Sequence, residues 1–342
     1  GEDGLELANE IIKQAKIINA KPHLNIINYE DLRNFLINAT KEDIIEYGKK
    51  DYEIMKKMQA YIGISAPTSD KSLKGVSQEK LELYNKYYTA LVHLEQRVKH
   101  TKWCILRYPN EYFAKKSNMT LNEFKDFYYN VCNVDYNKMK IAMKPLKELM
   151  NKTDKVHIVA PGTDLTFSIK GIHAEKYYGT FNIPDGEVAT CPVKNSVNGY
   201  ITYNTKTKYN DIIFEDIRFD FINGKIVKAT AKENSKELNE ILDTDGGARY
   251  IGEFAFGLNP YVNNTMCDTL FDEKINGSFH LTPGMALEES DNGNRSAIHW
   301  DIVKILRKEF GGGEIYFDDI LIMKDGKFIL EELKELNAEN LK

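Results

Sequence analysis

The sequence predicts an α/β domain followed by a β-rich α+β domain, and three observations lead there. Up to about residue 154, short apolar runs alternate with long stretches of helical periodicity. Past Lys155 the pattern changes to short β-type runs separated by turn dipeptides. With 342 residues, 42% hydrophobic and 28% charged, the chain has the length and composition for two globular cores. The expected domains are 1–154, a mainly parallel sheet with helices, and 155–342, carrying the chemistry.

In the first domain, Leu5, Leu7, Ala8, Ile11, Ile12 and Ala15 recur at helical spacing. The short run His23–Ile27 reads as strand-like, and two charged helical segments follow it. Tyr61–Ser65 and Lys102–Leu106 read as strands on either side of a long helix over Gln78–Lys99. Met119–Leu149 returns to helix, with Thr120 and Glu123 spaced as a capping box.

In the second domain, Asn198-Gly199, Asn223-Gly224, Asn276-Gly277 and Asp325-Gly326 each predict a two-residue hairpin loop, because these pairs tolerate the turn that matches strand twist. Glu233–Leu242 predicts a short helix, and Gly311-Gly312-Gly313 a turn between β elements.

A net charge of −5 gives no electrostatic driver for nucleic acid or an anionic membrane, so neither is an expected partner. No apolar run approaches the ~18–20 residues of a membrane span. Cys104, Cys132, Cys191 and Cys267 are widely spaced and read as thiols in a reducing compartment rather than as a disulfide framework or a zinc finger.

Of the seven histidines, His23, His93, His100, His157 and His173 have no obvious partner in sequence and read as structural. The other two sit among carboxylates. If Asn276-Gly277 closes a hairpin, Glu273 faces His280, with Cβ atoms about 4.5–5.5 Å apart. Such a pair either reaches one metal ion or makes a cross-strand hydrogen bond. His299 and Asp301, two apart on a strand, share a face. They form either a structural pair or ligands suited to zinc, manganese or cobalt. Glu187 leaves a Pro184-Asp185-Gly186 turn. Glu253 lies among Gly252, Phe254, Ala255 and Phe256, where burial is costly unless the carboxylate is paired or holds a metal; the other reading puts it on the exposed face of an alternating strand. Two histidines and at least four carboxylates suffice for a two-metal site with one bridging carboxylate.

The segments Gly162-Thr163-Asp164-Leu165, Asn182-Ile183-Pro184-Asp185-Gly186-Glu187-Val188, Gly252-Glu253-Phe254, Asp272-Glu273-Lys274-Ile275 and Ser296-Ala297-Ile298-His299-Trp300-Asp301 occur in this order. Together they resemble the M29 family of metallo-aminopeptidases. The resemblance implies a dinuclear site with Glu187, Glu253, Glu273, His280, His299 and Asp301 as ligands; in the mechanism expected for it, Glu253 or another carboxylate is shared by the two metals, and Glu187, if it is not itself a ligand, shuttles the proton in catalysis. The metals implied are zinc or cobalt, with manganese or magnesium as alternatives. It further implies peptide substrates with a free N-terminus, a cytoplasmic setting and a homodimer.

There are two departures from the family pattern. Its members usually carry a tyrosine seven residues after the histidine matching His280, and here that residue is Leu287. Family chains also open with an additional strand, so the first domain is expected to lack its first strand. Leu287 keeps open a metal-binding protein without peptidase activity. A two-metal hydrolase of esters or phosphates is the other alternative, although no glycine-rich phosphate loop is visible.

Overall fold

The computed structural model describes residues 2–69, 73–209 and 212–342. The chain divides into two compact units, residues 1–125 with 180–183 and residues 126–179 with 184–342. The boundary expected after residue 154 therefore lies inside the second unit. The reason is packing: the helix over Tyr136–Met150 places Met139, Met143, Leu146 and Met150 in the second unit's core.

The first unit carries a parallel sheet, β1 (Ala60–Ser65), β2 (Lys102–Arg107) and β6 (Asn182–Ile183), in that order. Around it lie α1 (Leu5–Ile17), α2 (Tyr29–Asn38), α3 (Lys41–Met55), α4 (Gln78–Tyr84) and α5 (Glu111–Lys116). The helix expected over Gln78–Lys99 forms, but from Asn85 to Val98 it continues α4 as a wider π-type helix. His23–Ile27 is not a strand. It pairs with no strand among the described residues, and Leu24 and Ile26 stay exposed ahead of Asn28, which caps α2. Thr120 and Glu123 form the expected capping box: the Thr120 N–H donates to Glu123 Oε2 at 2.8 Å, and the Glu123 N–H to Thr120 Oγ1 at 3.3 Å. That box opens α6 (Leu121–Cys132), and α7 (Tyr136–Met150) follows.

The second unit contains two large sheets. One has eight strands in the order β12 (Lys225–Thr230), β11 (Arg218–Ile222), β8 (Asn198–Thr202), β4 (Thr163–Ser168), β3 (Lys155–Ala160), β16 (Glu314–Phe317), β17 (Ile320–Lys324) and β18 (Lys327–Phe328). The other has five, in the order β15 (Val303–Ile305), β14 (Ser278–Pro283), β13 (Ile251–Gly257), β7 (Glu187–Thr190) and β5 (Glu175–Tyr177). β9 (Thr207–Tyr209) pairs antiparallel with β10 (Ile212–Phe214), and short helices α8 (Ser235–Leu242), α9 (Thr269–Asp272) and α10 (Ala338–Leu341) complete the unit. The two large sheets share one core: Phe167 of β4 meets Phe254 of β13 edge to face at 5.0 Å, and Phe256 contacts Phe317 of β16 at 6.2 Å.

Two of the four expected hairpin loops form as two-residue turns. Asn223-Gly224 joins β11 to β12 and Asp325-Gly326 joins β17 to β18, with positive φ at all four residues. Asn198-Gly199 instead lies within β8. There a Cβ on Gly199 would stand 2.1 Å from the Asp164 carbonyl oxygen, so this glycine serves close strand approach rather than a turn. Asn276-Gly277 closes no hairpin either. Asp268 caps the helical turn α9, which occupies the place of the expected outgoing strand, so Glu273 follows a helix. The cross-strand neighbours of His280 are Ala255 and Val303.

Candidate metal centre

Alternation along the five-stranded sheet sorts its side chains onto two faces. The register places Val188, Phe254, Phe256, Phe279 and Leu281 on the core side. Tyr177, Glu187, Ala189, Glu253, Ala255, Gly257, Ser278, His280 and Thr282 fall on the other side. Ala189, Ala255 and Gly257 have little or no side chain, which leaves room between the larger groups.

Two local devices aim the carboxylates. Gly186 has φ +135°, a conformation strained for any residue with a side chain, and it delivers the chain from the Pro184-Asp185 turn straight into Glu187. At Gly252 the β13–β14 register slips, so that Ile251 pairs with Pro283 and Glu253 with Thr282. This bulge sends Ile251 into the core and Glu253 to the site face, although regular alternation would put both on one face.

Two groups of donor atoms result, each lying within 4.8 Å of one another: Glu187, Glu253 and His280, and Glu253, His299 and Asp301. Glu253 belongs to both. His280 Nε2 lies 3.7 Å from Glu187 Oε2 and 3.7 Å from Glu253 Oε1. His299 Nε2 lies 3.1 Å from Glu253 Oε2 and 3.3 Å from Asp301 Oδ1. Residues 299–301 are not a regular strand. His299 makes one isolated bridge, to Gly284, and the extended backbone still turns both side chains inward. The His299 Nδ1–H donates to the Met285 carbonyl at 2.8 Å, which leaves the Nε2 lone pair for the cluster. Thr282 Oγ1 donates to Asp301 Oδ1 at 2.7 Å.

Glu273 stands outside both groups. Its carboxylate meets Lys274 Nζ at 2.7 Å. Lys274 is fully buried and also lies 2.6 Å from Glu187 Oε1 and 3.4 Å from Asp185 Oδ1. Asp185 is fully buried as well and accepts from the Gly179 and Gly186 N–H groups at 2.7 and 2.9 Å. Sequence reasoning missed both residues. Lys274 follows no apolar period that would mark burial, and Asp185 reads as an ordinary turn residue. Leu287 is half-buried just before a 3₁₀ turn over Glu288–Ser290. Among the other histidines, His157 pairs with Asp164 at 2.8 Å and His173 with Glu175 at 3.4 Å. None of the five joins a ligand group among the described residues.

The electrostatics are those of a site built for cations. Burial pushes Glu187 up to about 7, against the pull of Lys274 and His280, and pushes Glu273 well above the carboxylate range. Burial opposes charge on His280, but the facing carboxylates of Glu253, Asp301 and Glu187 lift it to about 9. Burial is likewise outweighed at His299, raised by Asp301 and Glu253, and at Lys274, raised by Glu187, Glu273 and Asp185. Asp301 and Glu253 are held low by the two histidines despite burial. Glu187 Oε2 and His280 Nδ1 are buried with no hydrogen-bond partner among the described residues. An unpartnered carboxylate oxygen facing an imidazole among further carboxylates fits a divalent cation.

These directions fix a pH dependence for the metal-stripped protein. A carboxyl raised from its unfolded ~4.3 contributes stability that is lost as pH climbs toward the folded value, here about 7 for Glu187. His280 contributes stability that is full below its unfolded ~6.5 and lost as pH rises through about 9. The depressed pair, Glu253 and Asp301, loses its contribution only below the unfolded carboxylate range, at about pH 4. The urea midpoint of chelator-stripped protein is therefore expected to fall from pH 5 to pH 9, and zinc to flatten that slope by replacing the protons. A stripped-protein midpoint that climbs over this range would contradict the assignment.

Carboxylates and imidazoles converging in a buried site are the donor set of a metalloprotein. The chain belongs to the M29 family: the family described as thermophilic metalloprotease (M29) matches residues 1–328. Aminopeptidase PepS of Streptococcus thermophilus is 26% identical over 87% of this chain and 84% of its own length. Aminopeptidase AmpS of Bacillus subtilis is 33% identical over 44% of this chain and 39% of its own. The wild-type AmpT structure from Thermus thermophilus has a TM-score of 0.79 at 20% identity, covering 96% of this chain and 92% of that one. A 2,5-dihydroxypyridine dioxygenase from Pseudomonas putida KT2440 has a TM-score of 0.54 at 13% identity, covering 86% and 99%. These structural likenesses show the fold, and the fold alone does not select a chemistry.

Proposed function

We propose that this protein is a metal-dependent aminopeptidase holding two divalent ions, zinc or cobalt in first place, in the groups Glu187–Glu253–His280 and Glu253–His299–Asp301. The observation that carries this reading is the sharing of Glu253 between them. Charge balance supports two ions. Asp185, Glu187 and Glu273 face one ammonium, Lys274, while Glu253 and Asp301 face the histidines; in a loaded site with all five carboxylates ionised and the histidines neutral, four negative charges remain, which two divalent cations cancel. Manganese and magnesium are the alternatives, the histidines arguing against an all-oxygen magnesium cage.

Divalent ions at such a site supply charge that makes a water acidic and polarises a carbonyl. The chain's own residues do the rest. Met285 and Thr282 hold His299 and Asp301 in orientation. Lys274 fixes one oxygen of Glu187 and leaves the other to the cluster. Since Glu187 falls in a ligand group and Asp185 is tied to the Gly179 and Gly186 N–H groups, Glu273 is the carboxylate suited to carry a proton between water and leaving amine. A buried carboxyl with a raised proton affinity suits that task. Carboxylates near the site are suited to receive a substrate's free α-amine, which favours N-terminal residues of peptides. A cytoplasmic setting and a homodimer rest on the family resemblance. Among the described residues no helix is long and apolar enough to cross a membrane.

The test is hydrolysis of aminoacyl-coumarin substrates by chelator-stripped protein refilled with zinc, cobalt, manganese or magnesium, with metal counted per chain. Activity that vanishes on stripping and returns with one ion, at two ions per chain, is the expected result. Metal bound tightly with no turnover on any substrate would favour the second reading, a metal-binding protein without peptidase activity, for which Leu287 is the motive.

A further inference from the structure

Resting on the aminopeptidase reading, we propose that Tyr177 is a catalytic residue whose phenol donates a hydrogen bond to the carbonyl oxygen of the scissile amide. Tyr177 ends β5 and is the direct cross-strand partner of Glu187, so the two side chains stand on the same face, Cβ atoms about 4.5–5.5 Å apart. It is half-buried, and its hydroxyl has no hydrogen-bond partner among the described residues. Every other hydroxyl on that face is engaged. Ser278 donates to the Ile275 carbonyl at 2.8 Å, and Thr282 donates to Asp301 at 2.7 Å.

The chemistry asks for such a group. Beyond the charge that bound ions would supply, a carbonyl oxygen that gains negative charge during addition finds no other uncommitted hydroxyl donor on this face among the described residues. A neutral O–H aimed at it supplies stabilisation where the charge develops, without adding a charge to the free site. Tyr177 keeps its proton throughout and forms no covalent bond. A second phenol, Tyr209, packs on the Trp300 ring at 4.9 Å, on the His299 side of the cluster. It lies on β9, outside the five-stranded sheet, and is the rival for the role.

Tyr177→Phe keeps the ring and removes the donor. In the metal-loaded protein its kcat on aminoacyl-coumarins is expected to fall about 100- to 1,000-fold. KM should stay within about twofold and metal content unchanged, the split expected when an interaction forms only in the transition state. Affinity for a phosphinic dipeptide analogue, which presents a tetrahedral oxyanion, should fall in parallel, and Tyr209→Phe should change neither quantity. Wild-type kcat and analogue affinity in Tyr177→Phe, or loss of metal in that variant, would overturn the assignment. So would the predicted losses appearing in Tyr209→Phe instead. If the wild type holds metal yet cleaves nothing, the aminopeptidase reading fails separately. The analogue affinities of wild type and Tyr177→Phe then still decide the contact, equal values refuting it and a 100-fold difference supporting it.

Discussion

Glu253→Gln is expected to empty both halves of the metal centre at once. The substitution preserves volume and one carbonyl-type oxygen but removes the charge shared by the two donor groups. After gel filtration without added metal, the variant should retain less than one ion per chain where wild type retains two. Its kcat should drop by about a thousand-fold or more, the scale on which losing a charge-stabilising group acts. His299→Ala removes a donor from one group only, so it should lose one ion and leave the other. Metal counting by mass spectrometry beside turnover separates the two variants. An unchanged count of two in Glu253→Gln, with wild-type activity, would end the shared-ligand description.

Replacing Lys274 by methionine is expected to cost about 3–5 kcal/mol of stability, because three buried carboxylates then lose the one ammonium that meets them among the described residues. The methionine fills most of the lysine's volume, so the loss is electrostatic rather than a cavity effect. Lys13, half of an exposed pair with Glu10, is the control, and its replacement by methionine should move the urea midpoint very little. A Lys274→Met midpoint indistinguishable from wild type in metal-free buffer would show that the carboxylates are already neutralised by protons. Raising the pH would then distinguish a proton-neutralised cluster from an unimportant lysine.

Local chemistry made part of the fold legible. Asn223-Gly224, Asp325-Gly326 and the Thr120–Glu123 box work through short-range backbone preferences, so residue type alone located them. Asp318-Asp319 makes the same kind of turn between β16 and β17, with φ of 48° and 65°, but carries no glycine to announce it. Asn198-Gly199 misled because a glycine suits close strand approach as well as it suits a turn. At the site, Glu187, Glu253, His280, His299 and Asp301 drew attention as ligand types in unusual surroundings, and the structure gathers all five. The hairpin logic that joined Glu273 to His280 fails, since a helical turn precedes Glu273; its carboxylate reaches the border of the cluster through Lys274 instead. Lys274, Asp185 and Tyr177 depend on strand register and long-range packing, which leave no mark on neighbouring residues.

One strand separates the candidate metal centre from the hydrophobic interior. Along β13, Glu253 and Ala255 look outward while Phe254 and Phe256 are locked into rings of the opposite sheet. The shared carboxylate thus has no hinge of its own. Its placement inherits the stiffness of a close-packed interior, and a methyl group removed from the oily side of the sheet would be felt as lost alignment of the donor groups on the other.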